Sequence, residues 1–201
     1  RADAAILQES SGFHAMCKKL LGENVAVLEQ TIQLLDPRQV SRAVDLLRRS
    51  RRVVCMGQGS SMVLSEEAWT LFSTVSPKFL FVPDSHLQMN TLALMDPDEL
   101  VLFFSYSGST RDFQDLLEVA RQRQVKVVLV SRFPKSPGGQ LADVVLQCGA
   151  DEGPLQAGSV NARMAQLFVL DVLFQEFCMR APEETEQSRE QIAEAVARKH
   201  L

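Results

Sequence analysis

Two short segments rich in serine and glycine have the composition of a phosphate-binding site. They are Gly57–Ser61 (GQGSS) and Ser105–Thr110 (SYSGST). Glycine lets the backbone approach an anion closely, and hydroxyl groups donate hydrogen bonds to its oxygens. Where such a segment opens a helix, the unpaired N–H groups and the positive end of the helix dipole add to the attraction. The two segments therefore predict an anion cradle, and we name them the first and the second serine loop.

Neither serine loop matches a nucleotide-binding motif. Both lack the lysine of a P-loop, and Gly57 and Gly59 are followed by Met62 where a dinucleotide fingerprint has its third glycine. Serine and glycine are also the ordinary residues of turns and helix caps, so either loop alone is as compatible with a structural role as with binding. Together, however, the loops carry six serine and threonine residues. Capping two helices does not require so many, and this favours binding.

The sequence around the loops predicts a parallel sheet covered by helices. Five short runs rich in Val, Leu and Phe show little polar alternation, which is typical of strands buried on both faces. They are Val53–Met56, Phe79–Val82, Leu100–Ser105, Val125–Val130 and Val144–Gln147. Helical patterns separate them, and in Arg111–Arg123 the apolar residues form one face. This alternation predicts a three-layer α/β/α sandwich with a five-stranded parallel sheet, flavodoxin-like in its doubly wound, right-handed topology.

Both serine loops directly follow a predicted strand and precede a helical pattern. In an open parallel sheet, ligands bind outside the carboxyl ends of the strands, where the strand order reverses. The predicted fold therefore positions the two loops where such a sheet binds its ligand.

Helical segments flank the predicted sheet. Glu23–Ser50 shows helical spacing with a break at Asp36-Pro37. Its basic run, Arg42–Arg52, is either a nucleic-acid contact or, as we favour, a solvated helix end. Ser159–Met179 is apolar almost all round, so it must lie between the sheet and another element or, as we favour, in a subunit interface. The charged segment Glu183–His200 predicts a surface helix that ends the chain.

The composition narrows the class of protein. The chain has 201 residues, of which 46% are hydrophobic, enough for one sizeable core. A net charge of -4 gives no general attraction to nucleic acid or to anionic membranes, and no apolar run approaches the length of about 18 residues that a membrane span requires. The four cysteines form no CxxC pair, so we expect reduced thiols in the cytoplasm and no metal site. Because the chain begins with Arg1 rather than Met, we expect a further segment upstream.

The motifs resemble those of a known family. GxGSS after the first strand and SxSGxT after a later strand are similar to the two signatures of the SIS (sugar isomerase) domain. The similarity continues through Asp84–Gln88, Pro97–Val101, Leu141–Asp143 and Ala162–Leu167 with Asp171. This ordered set resembles the C-terminal effector domain of RpiR-family bacterial transcriptional regulators, and it covers nearly the whole chain.

The resemblance implies which residues hold the ligand. The family's phosphate-binding positions fall on Ser61, Ser105, Ser107 and Thr110, with Ser60 close by. The remaining loop residues expected around the ligand are Gly59, Tyr106, Gly108 and Ser109. Ser109 occupies a position that is often glutamate in the family, a departure that leaves the phosphate-binding hydroxyls intact.

Two further polar residues are candidates for the sugar end of the ligand. His86 follows the second predicted strand, and it could contact the sugar hydroxyls or act as an acid or base, since histidine titrates near neutrality. Glu152 resembles a family glutamate that faces the pocket. A helix-capping or exposed histidine and a solvated loop carboxylate are equally compatible with the sequence. We assign no catalytic residue and no cofactor.

The resemblance implies a sensor rather than an enzyme. We expect a helical lead-in at residues 1–50, a phosphosugar-binding SIS domain at 51–182 and a surface helix at 183–201. The partners would be a phosphorylated sugar effector and further copies of the chain in a homodimer or homotetramer, with DNA bound only through an upstream helix-turn-helix domain. One alternative is an aldose–ketose phosphosugar isomerase, which needs a positioned base. A flavodoxin-like module for another anionic metabolite remains if the serine loops are mere caps.

Overall fold

The computed structural model describes residues 2–149 and 160–197. Its centre is a sheet of five parallel strands in the order β2-β1-β3-β4-β5. The strands are β1 (Val53–Gly57), β2 (Phe79–Phe81), β3 (Leu100–Phe104), β4 (Lys126–Ser131) and β5 (Val144–Gln147). Each lies within one residue of its predicted bounds, because the apolar runs that define the strands stop where the polar loops begin.

Eight helices surround or extend the sheet in the described part of the chain. They are α1 (Ala2–Leu34), α2 (Pro37–Arg49), α3 (Met62–Ser73), α4 (Ser85–Ala93), α5 (Arg111–Arg123), α6 (Pro137–Leu141), α7 (Val160–Met179) and α8 (Pro182–Ala197). The predicted break at Asp36-Pro37 separates α1 from α2, since Asp36 caps α2 and Pro37 fits its first turn. The sequence pattern located α1 only from Glu23, whereas the helix begins at Ala2.

The sheet separates two hydrophobic cores. On one face, β1, β3, β4 and β5 pack against α2, α3 and α7, and the rings of Phe72, Phe79 and Phe177 stack or meet edge to face there. On the other face, Phe103 stacks on Phe113 of α5, and Leu92 of α4 lies in the same cluster. The alternate residues of each central strand thus point into different cores, and the predicted three-layer α/β/α sandwich is confirmed.

Helix α7 is covered largely within its own chain. It packs against α1, α2 and α3, and the side chains buried along it include Ala165, Leu170 and Phe174. Of the two positions that the sequence left open, the structure shows the one between the sheet and another element. The subunit interface that we favoured for α7 is therefore not needed to explain its apolar composition, and it stays a prediction.

The basic run at the end of α2 forms ion pairs within the chain. Arg48 bonds Glu184 of α8 at 3.1 Å, and Arg51 bonds Asp98 at 3.0 Å. Arg52 pairs with Glu99, whose side chain is almost fully buried at the start of β3. Burial and the neighbouring Arg48 lower the pKa of Lys78, whose ammonium group donates to two backbone carbonyls nearby. The run closes the amino edge of the sheet, opposite the edge where the serine loops lie.

Candidate functional site

The two serine loops leave adjacent strands at the same edge of the sheet. Gly57, at the end of β1, is paired in register with Phe104, at the end of β3. The chain passes from β1 to β2 on one side and from β3 to β4 on the other, so the strand order reverses between β1 and β3. A crevice at such a reversal is where open α/β sheets bind ligands. Sequence positions about fifty residues apart are thereby brought together.

The first serine loop folds as a tight turn that starts α3. Residues Gly59–Ser61 form one turn of 3₁₀ helix, and Gly59 has a φ of 56°, which favours glycine. A Cβ on Gly57 would lie 2.6 Å from the carbonyl oxygen of Ser61, so only glycine fits this turn. Ser61, the residue directly before α3, ends this turn and is half-buried.

The second serine loop is held by its own first residue. The Oγ of Ser105, which is buried, accepts a hydrogen bond from the N–H of Gly108 at 3.1 Å. Gly108 has a φ of 61°, and a Cβ there would lie 2.2 Å from the Oγ of Ser136. The N–H of Ser109 donates to the Oγ of Ser107 at 3.3 Å. Of the predicted phosphate ligands, Ser105 and Ser107 thus each accept a bond within the loop, but Ser105 is buried whereas Ser107 is half-buried.

The hydroxyl groups that precede α3 and α5 are not used as helix caps. Ser61 and Thr110 occupy the N-cap positions of these helices, yet neither side chain accepts a capping hydrogen bond. The N-caps of α2, α4 and α6 behave differently: Asp36, Asp84 and Ser136 each accept a backbone N–H bond at 2.8–3.1 Å. The structural explanation that the sequence offered for the serines, helix capping, therefore does not account for Ser61 or Thr110.

The helices behind these hydroxyls supply further donors. Helices α3 and α5 have 12 and 13 residues, and both point their N-termini at the crevice edge. The first N–H groups of a helix have no partner inside it, and the helix dipole favours an anion there. Two such N-termini beside one another, each preceded by a hydroxyl group that makes no capping bond, form a site for a group that carries several acceptor oxygens and negative charge.

Buried glutamine and serine side chains fix the loops in place. The Nε2 of Gln88 donates to the carbonyl oxygens of Gly57 and Val82, at 2.9 and 2.8 Å, and so joins the ends of β1 and β2. The hydroxyl of Ser131 donates to the carbonyl oxygen of Tyr106 at 3.0 Å. The N–H of Gly138 donates to the carbonyl oxygen of Gly108 at 2.9 Å. The carboxyl edge is thus rigidly braced from β2 to the start of α6.

A cavity of about 730 Å³ opens beside the second serine loop. Ser107 and Ser109 line one side, and Arg132, Phe133 and Lys135, from the loop after β4, line another. This volume lies within the range of about 300–1,000 Å³ that small-molecule sites have. No carboxylate is among the lining residues in the described part of the chain. The cavity therefore offers hydroxyl groups, two cations and an aromatic ring to a polar ligand.

The other predicted site residues lie at different distances from this arrangement. Tyr106 is half-buried, with its ring edge to face with Phe133, and Ser60 is exposed in the first serine loop. His86 is exposed in the first turn of α4, and within residues 2–149 and 160–197 it makes no hydrogen bond to either loop. Glu152 lies outside the described residues. The exposed alternative for His86 agrees with the structure, and its contact with a sugar stays a prediction.

Sequence reasoning missed two residues of this site. Gln58 reaches across from the first loop, and its Oε1 accepts a bond from the hydroxyl of Thr110 at 3.4 Å. Gln88 is fully buried beneath the loops. The sequence around these two glutamines does not show whether their side-chain amides are buried and hydrogen-bonded or exposed at the surface. The position of Gln58 directly inside GQGSS is the only signal that could have singled it out.

Comparisons with known proteins agree with this fold. A family model described as the SIS domain matches residues 46–175, and the chain belongs to that family. Within it, the chain is similar to bacterial regulators with a helix-turn-helix. It is 27% identical over 161 residues to YbbH of Bacillus subtilis, an uncharacterised HTH-type transcriptional regulator, covering 80% of this chain and 57% of that protein. It is 27% identical over 136 residues to the HTH-type regulator RpiR of Escherichia coli K12, covering 68% and 46%.

Solved structures show the same architecture. The Vibrio vulnificus NanR protein, solved in complex with ManNAc-6P, superposes with a TM-score of 0.86 at 24% identity, over 96% of this chain and 73% of that one. A phosphoheptose isomerase from Francisella tularensis also shares the fold, with a TM-score of 0.64 at 14% identity, over 81% of this chain and 96% of that one. The chain spans about half the length of the curated relatives it matches. No described helix is both long and apolar enough to cross a membrane.

Proposed function

We propose that this chain is the phosphosugar-binding effector domain of an RpiR-type transcriptional regulator in the bacterial cytoplasm. The observation that carries the proposal is the pair of unused cap hydroxyls, Ser61 and Thr110, at adjacent helix N-termini. In the proposal the phosphate lies between them, with Ser60, Ser107 and Ser109 nearby. Gly59, Gly108 and the buried Ser105 shape the backbone around it.

In the proposal the sugar ring occupies the cavity next to Ser107 and Ser109. Arg132 and Lys135 also line this cavity, and they would contact the ring substituents. The relatives with a helix-turn-helix support a regulatory role, and NanR supports the ligand class, because that protein was solved with a sugar phosphate. DNA would be bound by a domain that these 201 residues do not include.

The proposal includes assembly with further copies of the chain. Helix α1 exposes Phe13, Met16 and Leu20, large apolar side chains that a partner would cover. In a regulator of this kind, a ligand acts by binding one arrangement of the subunits more tightly than another. The oligomer is thus the element through which binding at the serine loops would be transmitted.

Thermal unfolding with sugar phosphates tests the ligand class. At a concentration near 100 times Kd, ligand binding stabilises a fold by about 2.7 kcal/mol, which for a chain of this size raises Tm by about 5–10 °C. The probes are N-acetylmannosamine 6-phosphate and arabinose 5-phosphate, with the unphosphorylated sugars as controls. We expect at least one phosphate to raise Tm, and the double variant Ser107→Ala/Thr110→Ala to abolish the shift.

Incubating the protein with a sugar phosphate that binds separates a sensor from an enzyme. A sensor leaves the sugar phosphate unchanged over hours, whereas an isomerase interconverts the aldose and ketose forms, which NMR of the mixture detects. Turnover would replace the sensor with an isomerase. An undiminished Tm shift in the double variant would remove the phosphate cradle from the serine loops.

A further inference from the structure

Gln58 has an amide nitrogen that is buried without a hydrogen-bond partner. Gln58 as a whole is only half-buried, but its Nε2 atom is shielded from solvent. This atom has no hydrogen-bond partner in the described part of the chain. The oxygen of the same carboxamide is occupied, since it accepts the bond from Thr110. A buried amide donor left unsatisfied is unfavourable, so an arrangement in which this amide meets an acceptor is favoured.

The position of this donor relates it to the proposed ligand. The side chain of Gln58 leaves the first serine loop and meets Thr110 of the second, so it spans the gap between the two loops. Its planar amide therefore lies beside a hydroxyl group that the proposed function assigns to phosphate binding. If the carboxamide were rotated so that Oε1 and Nε2 exchanged places, Oε1 would be the atom without a hydrogen-bond partner. Protein atoms therefore satisfy only one of the two polar atoms of this side chain.

We propose that Gln58 is a ligand-contacting residue, whose Nε2–H donates to a phosphate oxygen of the bound sugar phosphate. This inference rests on the proposed function and adds a donor that neither the serine nor the glycine pattern supplies. A phosphate dianion only accepts hydrogen bonds, so it pairs with the amide nitrogen, whereas the single hydroxyl proton of Thr110 can go either to the amide oxygen or to the phosphate. The contact between Gln58 and Thr110 is long, at 3.4 Å. We expect it to open when the ligand binds, so that the carboxamide turns its shielded Nε2 toward the phosphate and the Thr110 hydroxyl donates to the phosphate as well.

Two substitutions distinguish this role from that of a mere link between the loops. Gln58→Leu removes both the donor and the acceptor at nearly constant size. Gln58→Glu keeps an acceptor for the hydroxyl of Thr110 but replaces the donor by a negative charge. A link between the loops would survive Gln58→Glu, whereas a phosphate donor would not, because two anions would then face each other.

Calorimetric titration with N-acetylmannosamine 6-phosphate, arabinose 5-phosphate and inorganic phosphate measures the difference. For the probe that binds, we expect Gln58→Leu to weaken binding about tenfold to a hundredfold, the range for a hydrogen bond to a charged group. We expect Gln58→Glu to weaken it further and the additional loss to shrink in high salt, which screens the repulsion. Far-UV circular dichroism and urea unfolding establish that both variants are folded.

Gln114 provides the matched control. Its Nε2 donates to the carbonyl oxygen of Ser109 at 3.0 Å, so it also supports a serine loop, but its nitrogen has a protein partner. We expect Gln114→Leu and Gln114→Glu to differ from each other by less than about threefold in binding. If the wild type binds a probe and the Gln58→Glu variant binds it equally tightly, the role of Gln58 is overturned and the proposed function stands. A wild-type protein that binds none of the probes would overturn both.

Discussion

At the scale of single residues, the hydroxyl groups of the serine loops divide into two kinds. Ser105 is buried and bonded to the loop it belongs to, so its hydroxyl is part of the fold. Ser61 and Thr110 stand at helix N-caps without capping. Sequence cannot make this division, because a serine before a helix looks the same whether its oxygen turns back to the backbone or away from it.

N-cap residues that make a capping bond and those that do not should therefore differ in their contribution to stability. Replacing a capping side chain by alanine costs about 1 kcal/mol, and we expect that loss for Asp36→Ala, whose Oδ1 accepts the N–H of Arg38. Thr110→Val and Ser61→Ala remove no cap, so we expect them to change the free energy of unfolding by less than about 0.5 kcal/mol. Urea unfolding followed by circular dichroism measures all three.

The two serine-loop variants should lose ligand binding although they keep their stability. A loss of 1 kcal/mol or more in Thr110→Val, equal to that of Asp36→Ala, would show that the hydroxyl stabilises the helix. The phosphate cradle would then be supported only by the sequence pattern.

At the scale of secondary-structure elements, hydrophobic patterning predicted most of the architecture. The strands and α5 are bounded as expected because an apolar run buried on both faces, or a one-sided helical stripe, is a local property of the sequence. The ties between elements are not local. Gln88 bonds Gly57 from 31 positions away, and Thr31 bonds Gly149 from 118 positions away. The residues next to these positions in the sequence do not predict either hydrogen bond.

The bond of Thr31 ties the lead-in helix to the end of the sheet. Thr31 is fully buried in α1; its Oγ1 donates to the carbonyl oxygen of Val27 at 2.8 Å and accepts the N–H of Gly149 at 2.9 Å. Thr31→Val keeps the shape of the side chain but leaves that N–H unsatisfied, which costs about 1–3 kcal/mol. We expect this loss in urea unfolding, together with faster hydrogen exchange at the amide of Gly149.

Thr31→Ser is the control for this prediction. Serine keeps the hydroxyl and removes one methyl group, so we expect a loss near 1 kcal/mol or less and an amide of Gly149 that stays protected. Equal losses in the valine and serine variants would show that packing, and not the hydrogen bond, holds α1 against β5.

At the scale of the whole molecule, the first half of α1 is the part that the fold does not explain. The helix has 33 residues, about 50 Å in length, and side chains 12–23 are exposed. Phe13 and Leu20 lie on the same helical face as Val27 and Thr31, which pack on the domain. An apolar stripe that begins in the core thus continues past it. Such a stripe indicates a partner, and the proposed oligomer supplies one.

We therefore predict that this stripe holds the subunits together. Light scattering coupled to size exclusion should give a mass of two or four times the 22.4 kDa chain for the wild type. Phe13→Glu/Leu20→Glu places two charges in the stripe, and we expect it to shift the mass to that of one chain, since uncompensated charges are excluded from an apolar interface.

Lys18→Glu changes an exposed charge on the opposite face of α1 and should leave the mass unaltered. The serine loops lie at the carboxyl edge of the sheet and not on α1, so a monomeric variant should still be stabilised by the sugar phosphate. A wild-type mass of one chain, or a double variant that stays assembled, would place the subunit contact elsewhere or remove it.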